Sequence, residues 1–283
     1  AYGGTTNASL SRTNFWLTAL TQNDGGVLKG SNVVLRWASG NPVGQTVTLQ
    51  YFDGMIWTTI VSGVAADLGA YPWNSLMFPD SFAARWRVVS DSDSNVWDQT
   101  DQVFQLRNQP KAFYVNDGSE TGDVFCGAIG LIGNDGLSTN APMAALQQIL
   151  DTYDLEGGDT IYIDSGTYVA PTNVRMIWSR SGTTNADVVV QGNPQGPLTL
   201  LTRSGNTNYP AIGLDVKASH VQFNHLVIQG PDRGMLLESN QSVSVRGNLF
   251  RQSRLGLDIV GAQDTQVRNS GFLGSDYGIS LFN

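Results

Sequence analysis

The sequence predicts an all-β chain of two parts, an antiparallel β-sandwich followed by a parallel β-helix. Three observations carry that prediction. Gly234, Gly256 and Gly278 recur with a 22-residue period, and Gly213 precedes the first of them at nearly the same spacing. The residues between these glycines fall into apolar columns: Phe223, Val245 and Val267; Ile228, Phe250 and Phe272; Met235, Leu257 and Ile279; Leu237, Ile259 and Leu281. Third, the stretch before about residue 107 consists of short alternating runs rich in β-branched and aromatic residues, separated by turn residues.

In chain order, NFWLTAL, NVVLRWAS, QTVTLQYF, MIWTTIV, ARWRVVS and QVFQL read as the strands of the sandwich. Trp37, Trp57, Trp73 and Trp86 are expected in its core. Asp53-Gly54 between two of these runs marks a hairpin, since both residues tolerate the positive φ of a tight turn. Residues 108–112, with Asn, Gln and Pro, separate the two parts. Pro142 to Tyr153 predicts a helix: Leu146, Ile149, Leu150 and Tyr153 share one face, and Gly157-Gly158 leads out into the strand TIYI. A solenoid needs such a cap, because its first coil otherwise exposes an apolar end and an unpaired strand edge.

The repeats decide which solenoid this is. Met235 and Leu237, Leu257 and Ile259, and Ile279 and Leu281 are spaced by two, which is strand periodicity. Short strands that return to the same column with a 22-residue period describe coils of a parallel β-helix, about four of them, stacked about 4.8 Å apart.

Charged residues make up only 14% of the 283, and the net charge of −8 speaks against nucleic acid or an anionic membrane as partner. No apolar run approaches the length of a membrane span. Cys126 is the single cysteine, so no internal disulfide forms, and an inert thiol is expected rather than a nucleophile.

Two resemblances add to this reading. LRWAS, VTLQYFDGMIWTTI, GAYPWNS and ARWRVVSDSDSNVWDQTDQVFQL resemble an immunoglobulin-like module found beside other domains in large secreted bacterial proteins. That likeness covers residues 14–107 and implies a secreted or cell-surface spacer or presentation module with no catalytic residue. FYVNDGSETGDVFC, GNDGLS and APMAALQQILDTYDLEGGDTIYIDSGTYV resemble the opening segment of secreted right-handed parallel β-helix proteins of the pectate-lyase-like group. This second likeness covers residues 113–283 and implies a right-handed β-helix with its capping helix at about 142–153. Members that cleave polysaccharide use an outer strand face as a groove, with carboxylates that bind calcium beside a Lys or Arg base, or with paired Asp as acid and base.

Against that background, Asp215, Leu236, Asp258 and Ser280 form one outward column, with Lys217, Glu238 and Val260 beside it. Asp215, Lys217, Glu238 and Asp258 are therefore the candidate catalytic residues; the alternative is a solvated strand face. Asp215 and Asp258 lie two coils apart, about 9.6 Å, just beyond the window for inverting carboxylates. Arg246 and Arg268 stack in a second outward column and are candidates to bind an acidic sugar; salt bridges to Asp232 or Asp264 are the simpler reading. His220 and His225 are read as structural. Asp91, Asp93 and Asn95 alternate as in the opening of a calcium loop. Val96 and Gln102 stand where that loop needs Gly and Glu, so a polar hairpin tip is the alternative and no cofactor is expected.

The last unit stops at Leu281-Phe282-Asn283 in mid-strand. Leu281 and Phe282 would then stack on another copy, head to tail, with the segment AYGGTTNASLSR adding as a strand; truncation of a longer solenoid is the alternative. The expected function is an extracellular or cell-surface structural or adhesive module that contacts polysaccharide or assembles with itself. The alternative is a polysaccharide lyase or glycoside hydrolase with part of its solenoid missing.

Overall fold

In the computed structural model, which describes residues 14–203 and 211–282, the chain divides into two compact units that meet between Gln109 and Pro110. The segment AYGGTTNASLSR and Asn283 lie outside the described residues.

The first unit is a sandwich of two sheets. Its strands are β1 (Trp16–Ala19), β2 (Val27–Leu28), β3 (Val33–Gly40), β4 (Thr46–Phe52), β5 (Trp57–Ala65), β6 (Ala70–Trp73), β7 (Ser81–Ser90), β8 (Trp97–Gln99) and β9 (Phe104–Leu106). One sheet runs β1-β3-β6; the other runs β2-β9-β7-β4-β5, with β8 beside β7. All pairings are antiparallel except that of β2 with β9. Alternate residues of both sheets, among them Leu35, Trp37, Trp73, Leu49, Tyr51 and Trp86, form one buried cluster. The indole of Trp37 donates to the Ala66 carbonyl at 3.0 Å and that of Trp86 to the Thr21 carbonyl at 2.7 Å, so these large rings are buried without stranding their N–H groups.

Trp57 departs from expectation. It opens β5 on the outward side, half-buried, with the Phe52 ring 5.0 Å away and the Arg87 guanidinium 4.2 Å above its own ring. The Asp53-Gly54 hairpin closes over positions 53–56; the Asp53 carboxylate accepts from the amides of Met55 and Ile56, both at 2.8 Å, and Gly54 takes φ 99°.

The second unit is a parallel β-helix of three sheets. It opens with β10 (Ala112–Val115) and the capping helix α1 (Leu146–Thr152). Five coils of three strands follow: β11 (Thr160–Ile163), β12 (Gly166–Ala170), β13 (Val174–Met176); β14 (Val188–Gln191), β15 (Thr199–Arg203), β16 (Ile212–Val216); β17 (Val221–Asn224), β18 (Val227–Gln229), β19 (Arg233–Glu238); β20 (Val243–Arg246), β21 (Leu249–Arg251), β22 (Leu255–Val260); and β23 (Gln266–Arg268), β24 (Gly271–Leu273), β25 (Tyr277–Phe282). The sheets run β10-β11-β14-β17-β20-β23, β12-β15-β18-β21-β24 and β13-β16-β19-β22-β25.

There are thus five coils rather than about four. The early strand triplets escape the 22-residue period because loops lengthen them. Phe223, Val245 and Val267 pair at the regular step, whereas Tyr162 pairs with Gln191 and Arg175 with Asp215, each partner lying farther along the chain than the period allows.

The cap also differs in extent. The helix begins at Leu146, because Met143 is extended and pairs with β10: its amide donates to the Tyr114 carbonyl and its carbonyl accepts from the Asn116 amide, both at 2.9 Å. A strand-like contact therefore covers the exposed edge of β10, while Leu146, Ile149, Leu150 and Tyr153 are buried beneath the helix.

Stacked like residues hold the regular coils together. The rings of Phe250 and Phe272 lie 5.2 Å apart and nearly parallel, and the recurring glycines make room for this ladder. A Cβ on Gly234 would meet Phe250 Cδ1 at 2.9 Å and the Gly256 carbonyl at 2.5 Å. The bends between strands fall at left-handed residues that recur with the same period: His220, Ser242 and Asp264; His225, Gly247 and Asn269; Gly230, Gln252 and Gly274. At the second of these bends the buried side chain of Asn248 spans two coils, accepting from the Leu226 amide and donating to the Phe223 carbonyl, both at 2.8 Å.

Candidate functional site

The outward face of the third sheet, β13-β16-β19-β22-β25, gathers the four candidate catalytic residues named from the sequence, Asp215, Lys217, Glu238 and Asp258. Arg175, Asp215, Leu236, Asp258 and Ser280 occupy consecutive positions across its five strands. Parallel pairing forces this arrangement, because every strand keeps register with the one before it. The charges are paired along the face: Arg175 Nε with Asp215 at 3.7 Å, Lys217 Nζ with Glu238 at 2.9 Å, and Arg233 Nη1 with Asp258 at 2.8 Å.

These pairs decide what chemistry the face supports. Hydrogen bonding and charge from Glu238 hold the exposed Lys217 above the ordinary lysine range, so it stays protonated and is a poor base. Burial raises the Asp215 carboxyl, against the opposing pull of Lys217 and Arg175. Asp258 is only 2% exposed and lies behind Arg233, with Leu236 on the strand between it and Asp215. Asp215 and Asp258 therefore do not flank a common open space as an acid and base pair would.

Beside this face lies an open cavity of about 390 Å³ lined by Gln147 and Asp151 of α1, Thr172 and Asn173 of the β12–β13 loop, Arg175 of β13, and Arg203 at the end of β15. The Gln147 side chain fixes its wall, accepting from the Arg175 amide and donating to Asp151, both at 2.7 Å. Nε and Nη1 of Arg203 are buried and meet no hydrogen-bond acceptor among the described residues. Two guanidinium groups, those of Arg175 and Arg203, thus line one open cavity, a lining that favours an anionic ligand such as a carboxylate.

Sequence reasoning named Asp215, Lys217, Glu238 and Asp258, and missed Arg175, Arg203 and Arg233. Arg175 and Arg203 belong to the lengthened coils, where the 22-residue period gives no alignment; Arg233 stands immediately before a repeat glycine, where the period itself pointed.

The other candidates lie elsewhere. Arg246 and Arg268 are register partners on the sheet that contains β20 and β23, both exposed, and so are not part of the Asp215 group. Asp232 is engaged by Arg254 at 2.7 Å, and Asp264 forms a bend at φ 52°. In the sandwich, Asp91 accepts from the Thr48 hydroxyl at 2.6 Å, and Asp93 accepts from the amide and side chain of Asn95 at 2.9 and 3.1 Å. Among the described residues no group of three or more His, Cys, Asp or Glu side chains is placed to hold a metal ion. Leu281 and Phe282 of β25 are 71% and 62% exposed. The thiol of Cys126, half-buried, is pushed up to about 12 by desolvation, with Asp164 and Asp123 adding to the effect. Among the described residues no helix is long and apolar enough to cross a membrane.

No protein-family model matches the chain, and no curated protein matches it. Among solved structures it is similar to an alginate lyase from Paenibacillus sp. str. FPU-7, at 20% identity and TM-score 0.38 over 44% of this chain and 40% of that one. It is similar also to the pectate lyase Pel9A, at 18% identity and TM-score 0.43 over 57% and 39%, and to a family 28 exopolygalacturonase of Yersinia enterocolitica, at 11% and 0.29 over 90% and 69%. The chain thus spans about two-fifths of the length of the two lyases. At these scores the likeness transfers no residue role to this chain.

Proposed function

We propose that the chain is a polysaccharide-binding module of a secreted or cell-surface protein, and that the outward face of the third sheet, with the cavity beside α1, grips an acidic polysaccharide. On this reading residues 113–283 form the binding β-helix, and residues 14–107 an immunoglobulin-like presentation module. One observation carries the proposal: the guanidinium groups of both Arg175 and Arg203 line one open cavity beside the charged face, and Nε and Nη1 of Arg203 have no acceptor among the described residues. A sugar carboxylate would pair with the guanidinium groups of Arg175 and Arg203 at the cavity wall, and the amide and hydroxyl groups of Gln147, Asn173 and Thr172 suit sugar hydroxyls.

Binding fits the geometry better than cleavage. Lys217 is held protonated by Glu238, and Asp258 is neutralised by Arg233, so neither a lyase base nor a hydrolase carboxylate pair stands ready. The raised carboxyl of Asp215 is the one feature that favours a polysaccharide lyase or glycoside hydrolase, and an assay for chain shortening at several pH values addresses it directly.

The test of binding uses polygalacturonate and alginate, with uncharged galactan as control, in isothermal titration and affinity electrophoresis. Binding to the acidic chains but not galactan is expected, with Arg203→Gln and Arg175→Gln each weakening it about tenfold, the worth of one charge-assisted hydrogen bond. Affinity unchanged in both variants would remove the cavity from the proposal.

A further inference from the structure

Trp178 is the most exposed tryptophan among the described residues, at 76%, in a turn that nothing in the fold requires to be aromatic. A single exposed apolar residue needs no explanation by itself. Three observations set this one apart.

The first is its position. Met176 pairs with Val216, and the amide of Lys217 donates to the Met176 carbonyl at 2.9 Å. Ile177, 44% exposed, therefore continues the row that holds Lys217 and Glu238, and Trp178 follows at its border. Ile177 is extended between the end of β13 and the turn, so the backbone from Arg175 to Trp178 spans about 10 Å, enough for a short run of pyranose rings.

The second is rigidity. Trp178 opens the 3₁₀ turn Trp178–Arg180, which is tied down on both sides. Arg180 donates to the Leu150 carbonyl at the end of α1 at 2.9 Å and pairs with Asp154. Ser181 donates its hydroxyl to the Trp178 carbonyl at 2.6 Å and accepts from the Ser219 amide at 2.9 Å. The backbone under the indole is thus held to the helix cap and to the second coil, so ordering it on binding costs little.

The third is complementarity. The polar face supplies partners for sugar carboxylates and hydroxyls, but a pyranose also presents an apolar side of C–H groups. Ile177 and Trp178 are adjacent exposed apolar residues at the border of that face.

From these we infer that Trp178 is the aromatic platform of the sugar site: a pyranose ring of the bound polysaccharide stacks on the indole while neighbouring residues of the same chain reach Arg175 and Arg203. The assignment rests on the binding function proposed above. Burying a rigid indole against the ring gives affinity that does not depend on charge, as tryptophan does at other interfaces.

The experiment measures binding of the full chain to polygalacturonate and to alginate at low and high salt. Trp178→Ala is expected to weaken binding about tenfold with the salt dependence unchanged, Trp178→Tyr to restore most of it, and both to leave the melting temperature where it was. Arg203→Gln should instead reduce the salt dependence. If the wild-type chain binds and Trp178→Ala binds equally well, the platform is wrong and the cavity stands. If the wild-type chain binds neither polysaccharide, the binding function falls, and the platform with it.

Discussion

The three coils after Val221 and the two before them share one fold but divide its labour. The later coils keep the regular step and fill their interior with ladders such as Phe250 on Phe272, bridged at the bend by Asn248. The earlier coils carry the long connections, and with them Thr172, Asn173, Arg175, Trp178 and Arg203. Regularity supplies stability and register; irregularity supplies the concave, chemically mixed surface that a ligand needs. The charged face crosses this division: Asp215 and Lys217 come from the second coil, Arg233 and Glu238 from the third and Asp258 from the fourth.

This division can be broken by substitution. Phe250→Ala removes a fully buried ring from the ladder and is expected to cost about 3–5 kcal/mol in chemical denaturation while leaving sugar affinity intact. A large loss of affinity at unchanged stability would show that the regular coils also shape the site. Asn248→Ala should cost about 2–3 kcal/mol, since it strands the buried Leu226 amide and Phe223 carbonyl. Gln252→Gly should instead stabilise by about 1 kcal/mol, because φ at Gln252 is 55° and the residues above and below it at the same bend, Gly230 and Gly274, are already glycine. A lower melting temperature would refute that account of the bends.

The smallest effect is one of pH. Burial holds the Asp215 carboxyl above its ordinary value, so the folded chain retains a proton that the unfolded chain has lost. The group's stabilising contribution is full below the ordinary Asp range and fades as pH rises through the folded value. Asp215→Asn should flatten that part of the stability curve. On the proposed binding function, lowering the pH should tighten the wild-type chain's hold on an acidic polysaccharide as Asp215 is protonated, and Asp215→Asn should remove that dependence, measured by titration at constant ionic strength.

The regular coils were legible because a 22-residue period repeats the glycines, and each glycine is dictated by the Phe ladder that an added Cβ would strike. The sandwich was legible from alternation, although Trp57 faces outward because strand periodicity says which residues share a side, not which side is the core. Coil one was illegible as a coil, and of coil two only the last strand, with Gly213 and Asp215, keeps nearly the regular step; elsewhere the register partners lie at longer and unequal separations, so no fixed period joins Arg175 to Asp215 or Leu201 to Ile228. For the candidate site this meant that the sequence named the carboxylates and Lys217 of the outward face, whereas it did not name Arg175 and Arg203, which line the cavity. Pairwise charges such as Lys217 with Glu238 follow from column adjacency; a cavity between a helix and a loop does not.

The left-handed bends at His220, Ser242 and Asp264, and their companions at the other corners, make the coil a unit of length. Since each corner is set by backbone conformation more than by side chain, excising residues 233–254 would rejoin β18 to the strand that begins at Leu255 with every ladder still in register. Removing half as many would turn the inward rows outward. Length in this protein is therefore quantised: it tolerates gain or loss of whole turns, each shifting the later coils by about 4.8 Å along the axis, and resists anything between.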